Sequence, residues 1–105
     1  GATCRLLWGE RQIPLLEGEN VLGRGAEAAI RIDLARVSRL HARIVVEGER
    51  AILEDLGSKN GTFHWGRRLE APAELADGDE IGVGAVVILF RARRSDSTTE
   101  TGTAR

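Results

Sequence analysis

The run Val37-Ser38-Arg39-Leu40-His41-Ala42 sets a hydroxyl, a guanidinium and an imidazole within four residues, just ahead of an apolar strand. Such groups can hold an anion by charge and donated hydrogen bonds, or supply a nucleophile and its base. Two other stretches carry related groups. They are Gly23-Arg24-Gly25 upstream and Gly57-Ser58-Lys59-Asn60-Gly61-Thr62 downstream. Each is a glycine-bearing loop at the end of an apolar run, and loops held at one end of a strand scaffold are where binding residues collect. The spacing predicts that the three converge.

Rival chemistries fit less well. Ser38, His41 and Asp55 have the residue types of a hydrolase triad. The strained elbow G-x-S-x-G is absent, and a serine and histidine three apart in one loop need not face each other. Gly23-Arg24-Gly25-Ala26-Glu27-Ala28 matches a dinucleotide fingerprint, with Glu47 at the distance of a ribose-binding acid. That fingerprint requires a helix after the glycines, and the short strand Ile30 to Ile32 follows instead. Asn60-Gly61-Thr62 is formally a glycosylation acceptor, but nothing points to secretion, and Asn60-Gly61 reads first as a hairpin turn. His41 is expected to be structural, its ring nitrogens tying loop backbones together. Arg24 alone would be a surface charge paired with Glu27. An arginine, a serine and an asparagine on three separate loops make it a candidate anion anchor.

The totals bound the partner. A chain of 105 residues is expected to form one domain with a real core. Its 42% hydrophobic and 30% charged composition is that of an ordinary globular protein. No apolar run approaches the roughly 20 residues that span a bilayer, and residues 1–5 lack a signal-peptide layout. One cysteine, Cys4, excludes an internal disulfide and is expected as a small core residue. No metal site and no cofactor are expected, and the composition points to the cytoplasm. The net charge of -1 is segregated: five arginines lie between Leu22 and Val45, and five acids without a base between Glu70 and Glu80. A local basic site on a near-neutral domain suits a compact anion such as one phosphate. A nucleic-acid backbone would call for a broad basic face.

The elements that must position these loops are short strands. Apolar or alternating runs occur at Cys4 to Trp8, Arg11 to Leu15, Val21-Leu22, Ile30 to Ile32, Ala42 to Glu47 and Arg50 to Leu56. They continue at Thr62 to Trp65, Arg67 to Leu69, Glu80 to Val83 and Ala85 to Phe90. Glu17-Gly18-Glu19-Asn20, Gly48-Glu49, Gly66 and Gly84 read as turns, and Pro14 implies an edge strand. No long window holds a 3.6 period. The fold is expected to be all-β, a sandwich of about ten or eleven short strands. From Arg94 the composition turns to Ser, Thr and charge, so residues 94–105 read as a disordered tail or linker behind a domain of residues 1–93.

Taken in order, Gly23-Arg24, Val37 to Ala42, Asp55 to Phe63, Leu75, Gly78-Asp79 and Ile81 resemble the forkhead-associated (FHA) domain over about Cys4 to Arg93. The resemblance implies two antiparallel sheets with binding loops at one end, and recognition of phosphothreonine in partner proteins without catalysis. By position it implies that Arg24, Ser38, Arg39, Lys59 and Asn60 contact the phosphopeptide. Gly23, His41, Gly61 and Thr62 would support the loops. Arg36, two residues before Ser38, is a candidate for selecting an acidic residue of the ligand. Gly25, where the family often has a hydroxyl, and Trp65, where an asparagine is common, depart from the pattern. The partner would be a phosphothreonine protein in a kinase pathway, or the chain's own tail once phosphorylated at Thr98, Thr99, Thr101 or Thr103. Alternatives are a degenerate module binding an unphosphorylated partner, an oligomerising surface, and the Ser38–His41 hydrolase.

Overall fold

Alternation along the strands separates two faces. In the computed structural model, which describes residues 2–94, β5 (Ala42–Glu47) buries Ala42, Ile44 and Val46 and turns Arg43, Val45 and Glu47 outward. β6 (Arg50–Asp55) buries Ala51 and Leu53 in the same rhythm. Residues two apart in a strand share a face, so each such strand carries one apolar side. Two sheets bury those sides against each other. The six-stranded sheet runs β2 (Arg11–Pro14), β1 (Ala2–Trp8), β11 (Val86–Arg94), β10 (Glu80–Val83), β7 (Thr62–His64), β8 (Arg67–Arg68). The five-stranded sheet runs β4 (Ile30–Arg31), β3 (Gly18–Gly23), β5, β6, β9 (Ala73–Glu74).

Between them lie Leu6, Leu22, Ile32, Ile44, Leu53, Ile81, Ile88 and Phe90, all buried. Each such side chain contributes about 1.5–3 kcal/mol by leaving water. Cys4 belongs to the same core, and burial pushes its thiol pKa up. Pro14 lies on β2, which pairs only with β1 at the sheet edge.

Several expectations needed correction. Glu17 to Asn20 is not a turn: Gly18 to Leu22 pairs along β5, so β3 is longer than the apolar pair Val21-Leu22 suggested. Asn20 is buried there, and its amide bonds Leu16 O, Gly18 O and Ile44 O while its Oδ1 accepts from Leu16 N. A residue favoured in turns closes the neighbouring bend from inside the strand. β4 pairs with β3 in parallel, so one sheet is mixed at its edge. β9 has too little local pattern to be visible alone. Asn60-Gly61 is no hairpin, because β6 and β7 flank it in different sheets. β11 runs through Arg94, past the expected boundary at 93. The rest of the tail, with its threonines, lies outside the described residues.

Candidate functional site

His41 joins the three loops. It is 0% exposed. Its main chain bridges two strands: its N–H bonds Leu22 O, and its carbonyl accepts from Leu56 N. Its ring bridges the loops. Nδ1 accepts from Ser38 N at 3.0 Å, so Nε2 carries the proton and donates to Gly61 O at 2.8 Å. Gly61 presents that carbonyl from a left-handed backbone, φ +89°. Gly23 permits the first contact: Arg24 N and Gly25 N bond the carbonyls of Ser38 and Arg39. A Cβ at Gly23 would overlap the Arg39 carbonyl, so only glycine allows this approach.

The third loop is wound around Asp55. Its Oδ2 accepts from Gly57 N and Ser58 N, and its Oδ1 from the hydroxyls of Ser58 and Thr62. Ser58 Oγ in turn accepts from Gly61 N. Partial burial works against the Asp55 charge. The hydroxyls of Ser58 and Thr62 and the amides of Ser58 and Gly57 outweigh it and hold the carboxyl below its ordinary 3.8. A carboxyl more acidic when folded stabilises the fold fully above its unfolded pKa. That contribution is lost as pH falls through the lower folded value. The denaturant midpoint of the wild-type chain is therefore expected to exceed that of Asp55→Asn at pH 7, and the gap to narrow below about pH 4. An equal gap at pH 7 and at pH 3 would refute this. Asp55 and Ser58 had no structural role assigned from sequence. The three-residue Asp–Ser spacing of a side-chain-closed turn was the available signal.

On this frame Arg24, Arg36, Ser38, Lys59 and Asn60 line one cleft of about 180 Å³, with Ala35 and Val37. Arg24 Nε donates to Val37 O at 2.9 Å, which aims the guanidinium and leaves its terminal nitrogens without a carboxylate partner among the described residues. Ser38 Oγ accepts from Lys59 N at 3.0 Å, and among the described residues its own proton has no acceptor. Asn60 Nδ2 donates to Arg36 O at 2.8 Å, closing the cleft from loop to loop. Arg39 does not join them. Its Nη2 donates to both oxygens of Glu27, at 3.0 and 2.8 Å, outside the cleft. That pair also removes the simple alternative for Arg24, since Glu27 is held by Arg39. The triad does not assemble: the imidazole bonds the Ser38 amide rather than its hydroxyl, and Asp55 binds Ser58 and Thr62.

An FHA-domain family model matches residues 20–84. The chain belongs to the FHA family. It is 42% identical over 84 residues to the FHA domain-containing protein FhaA of Mycobacterium tuberculosis, covering 77% of this chain and 15% of FhaA. It therefore spans only a small part of that relative. Among solved structures, it superimposes on an FHA domain from a study of phosphothreonine-dependent FHA domain interactions with TM-score 0.84. Identity there is 36%, covering 88% of this chain and 98% of the other. Mycobacterium tuberculosis EmbR, solved with a low affinity phosphopeptide, matches at TM-score 0.81 and 32% identity, over 85% of this chain and 24% of EmbR.

The two departures of this FHA domain have local reasons. A side chain at Gly25 would collide with Glu27 Oε1, so the missing hydroxyl goes with the Glu27–Arg39 pair. Trp65 sits in the two-residue turn between β7 and β8 with φ +54°, and its indole donates to Asp79 Oδ1 at 3.0 Å. β7 leaves the loop cluster at Thr62, so Trp65 lies at its opposite end, away from the cleft.

Proposed function

We propose that this FHA domain binds phosphothreonine in a kinase-modified partner protein, non-catalytically and in the cytoplasm. One observation carries the reading: donors on Arg24, Ser38 and Lys59, with no acidic partner among the described residues, line a single small cleft. Arg24 would grip the phosphate with its two terminal nitrogens and Ser38 with its free hydroxyl proton, while Lys59 adds charge. Asn60 would hold the ligand main chain with its remaining polar positions. Arg39 would act through its main chain, its side chain being engaged by Glu27. The FHA relative EmbR, solved with a low affinity phosphopeptide, supports the reading.

Arg36 lines the cleft beside Ser38 and would favour an acid a few residues after the phosphothreonine. Paired peptides carrying phosphothreonine, phosphoserine or unmodified threonine test the proposal by calorimetry. The threonine methyl, worth about 0.8 kcal/mol if buried, should favour phosphothreonine about fourfold over phosphoserine. The unmodified peptide should not bind measurably. Equal binding with and without phosphate would instead identify a module for an unphosphorylated partner.

A further inference from the structure

Five arginines among the described residues, Arg31, Arg39, Arg43, Arg50 and Arg91, are already paired with carboxylates. Arg68, on the edge strand β8, is exposed and has no ion-pair or hydrogen-bond partner among the described residues. Its place is informative. A side chain built at Gly61 would meet Arg68 Nε at 2.9 Å and Cζ at 3.0 Å, so the guanidinium lies against the Gly61 backbone. Gly61 directly follows Asn60, a wall of the phosphate cleft. The guanidinium is therefore one residue outside that wall. Beside it opens a shallow cleft of about 670 Å³, lined by His64, Arg67, Arg68, Leu69 and Glu70. Glu70 shares this cleft but stands beyond ion-pair distance of Arg68.

We propose that Arg68 forms a second anion subsite that reads a negatively charged side chain of the same partner chain, near its phosphothreonine. The inference rests on the phosphothreonine reading above and extends it to a position outside the recognised motif. An extended ligand advances about 3.3 Å per residue, so a ligand fixed at Asn60 passes Gly61 within a few residues. A planar guanidinium accepts a carboxylate or a phosphate by the same paired geometry, so an aspartate, a glutamate or a second phosphorylated residue can supply the charge.

The test uses synthetic phosphothreonine peptides in an alanine host. A single aspartate, or a second phosphothreonine, is placed at each of the five positions on either side. Calorimetric affinities are compared for the wild-type chain, Arg68→Ala, Arg68→Gln and Arg36→Ala. An exposed charge pair should give the wild type about a two- to fivefold gain from aspartate at one position. That gain should vanish in both Arg68 variants, persist in Arg36→Ala and shrink with added salt. Arg68→Gln keeps the apolar stem against Gly61 and so separates charge from packing. The host peptide itself should bind Arg68→Ala within twofold of wild type. A gain confined to the second phosphate would identify phosphate as the source of the charge. No gain at any position, or gains that all persist in both Arg68 variants, overturns the inference while the host peptide still binds. Failure of the host peptide to bind the wild type overturns the phosphothreonine reading, and this inference with it.

Discussion

Arg24→Ala is expected to weaken phosphothreonine-peptide binding by more than tenfold while barely moving the denaturant midpoint. The side chain is exposed, and among the described residues its one hydrogen bond runs from Nε to the Val37 carbonyl. Losing that bond at a solvated loop costs about 1 kcal/mol or less. What binding loses is larger. Among the described residues the terminal nitrogens have no carboxylate partner, so they meet a phosphate without first breaking an ion pair. Charge-assisted bonds of this kind contribute about 1.5–3 kcal/mol, or roughly ten- to a hundredfold in affinity. Arg24→Lys should recover only part, because an ammonium offers charge without the planar fork. Unchanged affinity in Arg24→Ala would defeat the phosphothreonine reading. An unfolded variant would make Arg24 a scaffold residue.

His41→Ala should do the reverse. The ring is fully buried, and its removal leaves the half-buried Ser38 amide and the buried Gly61 carbonyl without these partners. Lost bonds and a cavity together should cost about 2–4 kcal/mol of stability. Ser38 and Gly61 belong to two of the site loops, so affinity should also fall, but only as their geometry relaxes. His41→Asn is a useful companion, since a smaller amide can restore one of the two bonds. A denaturant midpoint unchanged in His41→Ala would show that the main-chain contacts of Gly23 and His41 suffice to hold the loops.

Much of the candidate cleft was legible in the chain because its residues sit in short glycine-bearing or polar loop motifs. Arg24, Ser38, Lys59 and Asn60 come from three of them, and the structure lines one cleft with all four. Arg39 was not separable from its neighbours by sequence. Its side chain is claimed by Glu27, twelve positions earlier and brought near only by the approach of Gly23 to the Arg39 carbonyl. The packing of Arg68 against Gly61 is likewise a tertiary contact. The Gly66 turn implies that Arg67 to Leu69 runs back along β7, but not that the Arg68 side chain comes to lie against Gly61.

The sequence by itself determined the class of fold, because period-two burial and turn residues are local properties of the chain. It also pointed to the three loops whose Arg24, Ser38, Lys59 and Asn60 come to line one cleft. Tertiary structure decided what local pattern cannot carry. Asn20 looked like a turn residue and became a buried strand residue, because pairing with β5 and four internal hydrogen bonds outweigh its preference. Asn60-Gly61 looked like a hairpin and became a crossing between sheets, because Asp55 and Ser58 wind the loop before β7 begins. Which cations stay free for a ligand was likewise settled only in three dimensions. An arginine's availability depends on the carboxylates that folding brings within about 4 Å, and those are seldom its neighbours in sequence.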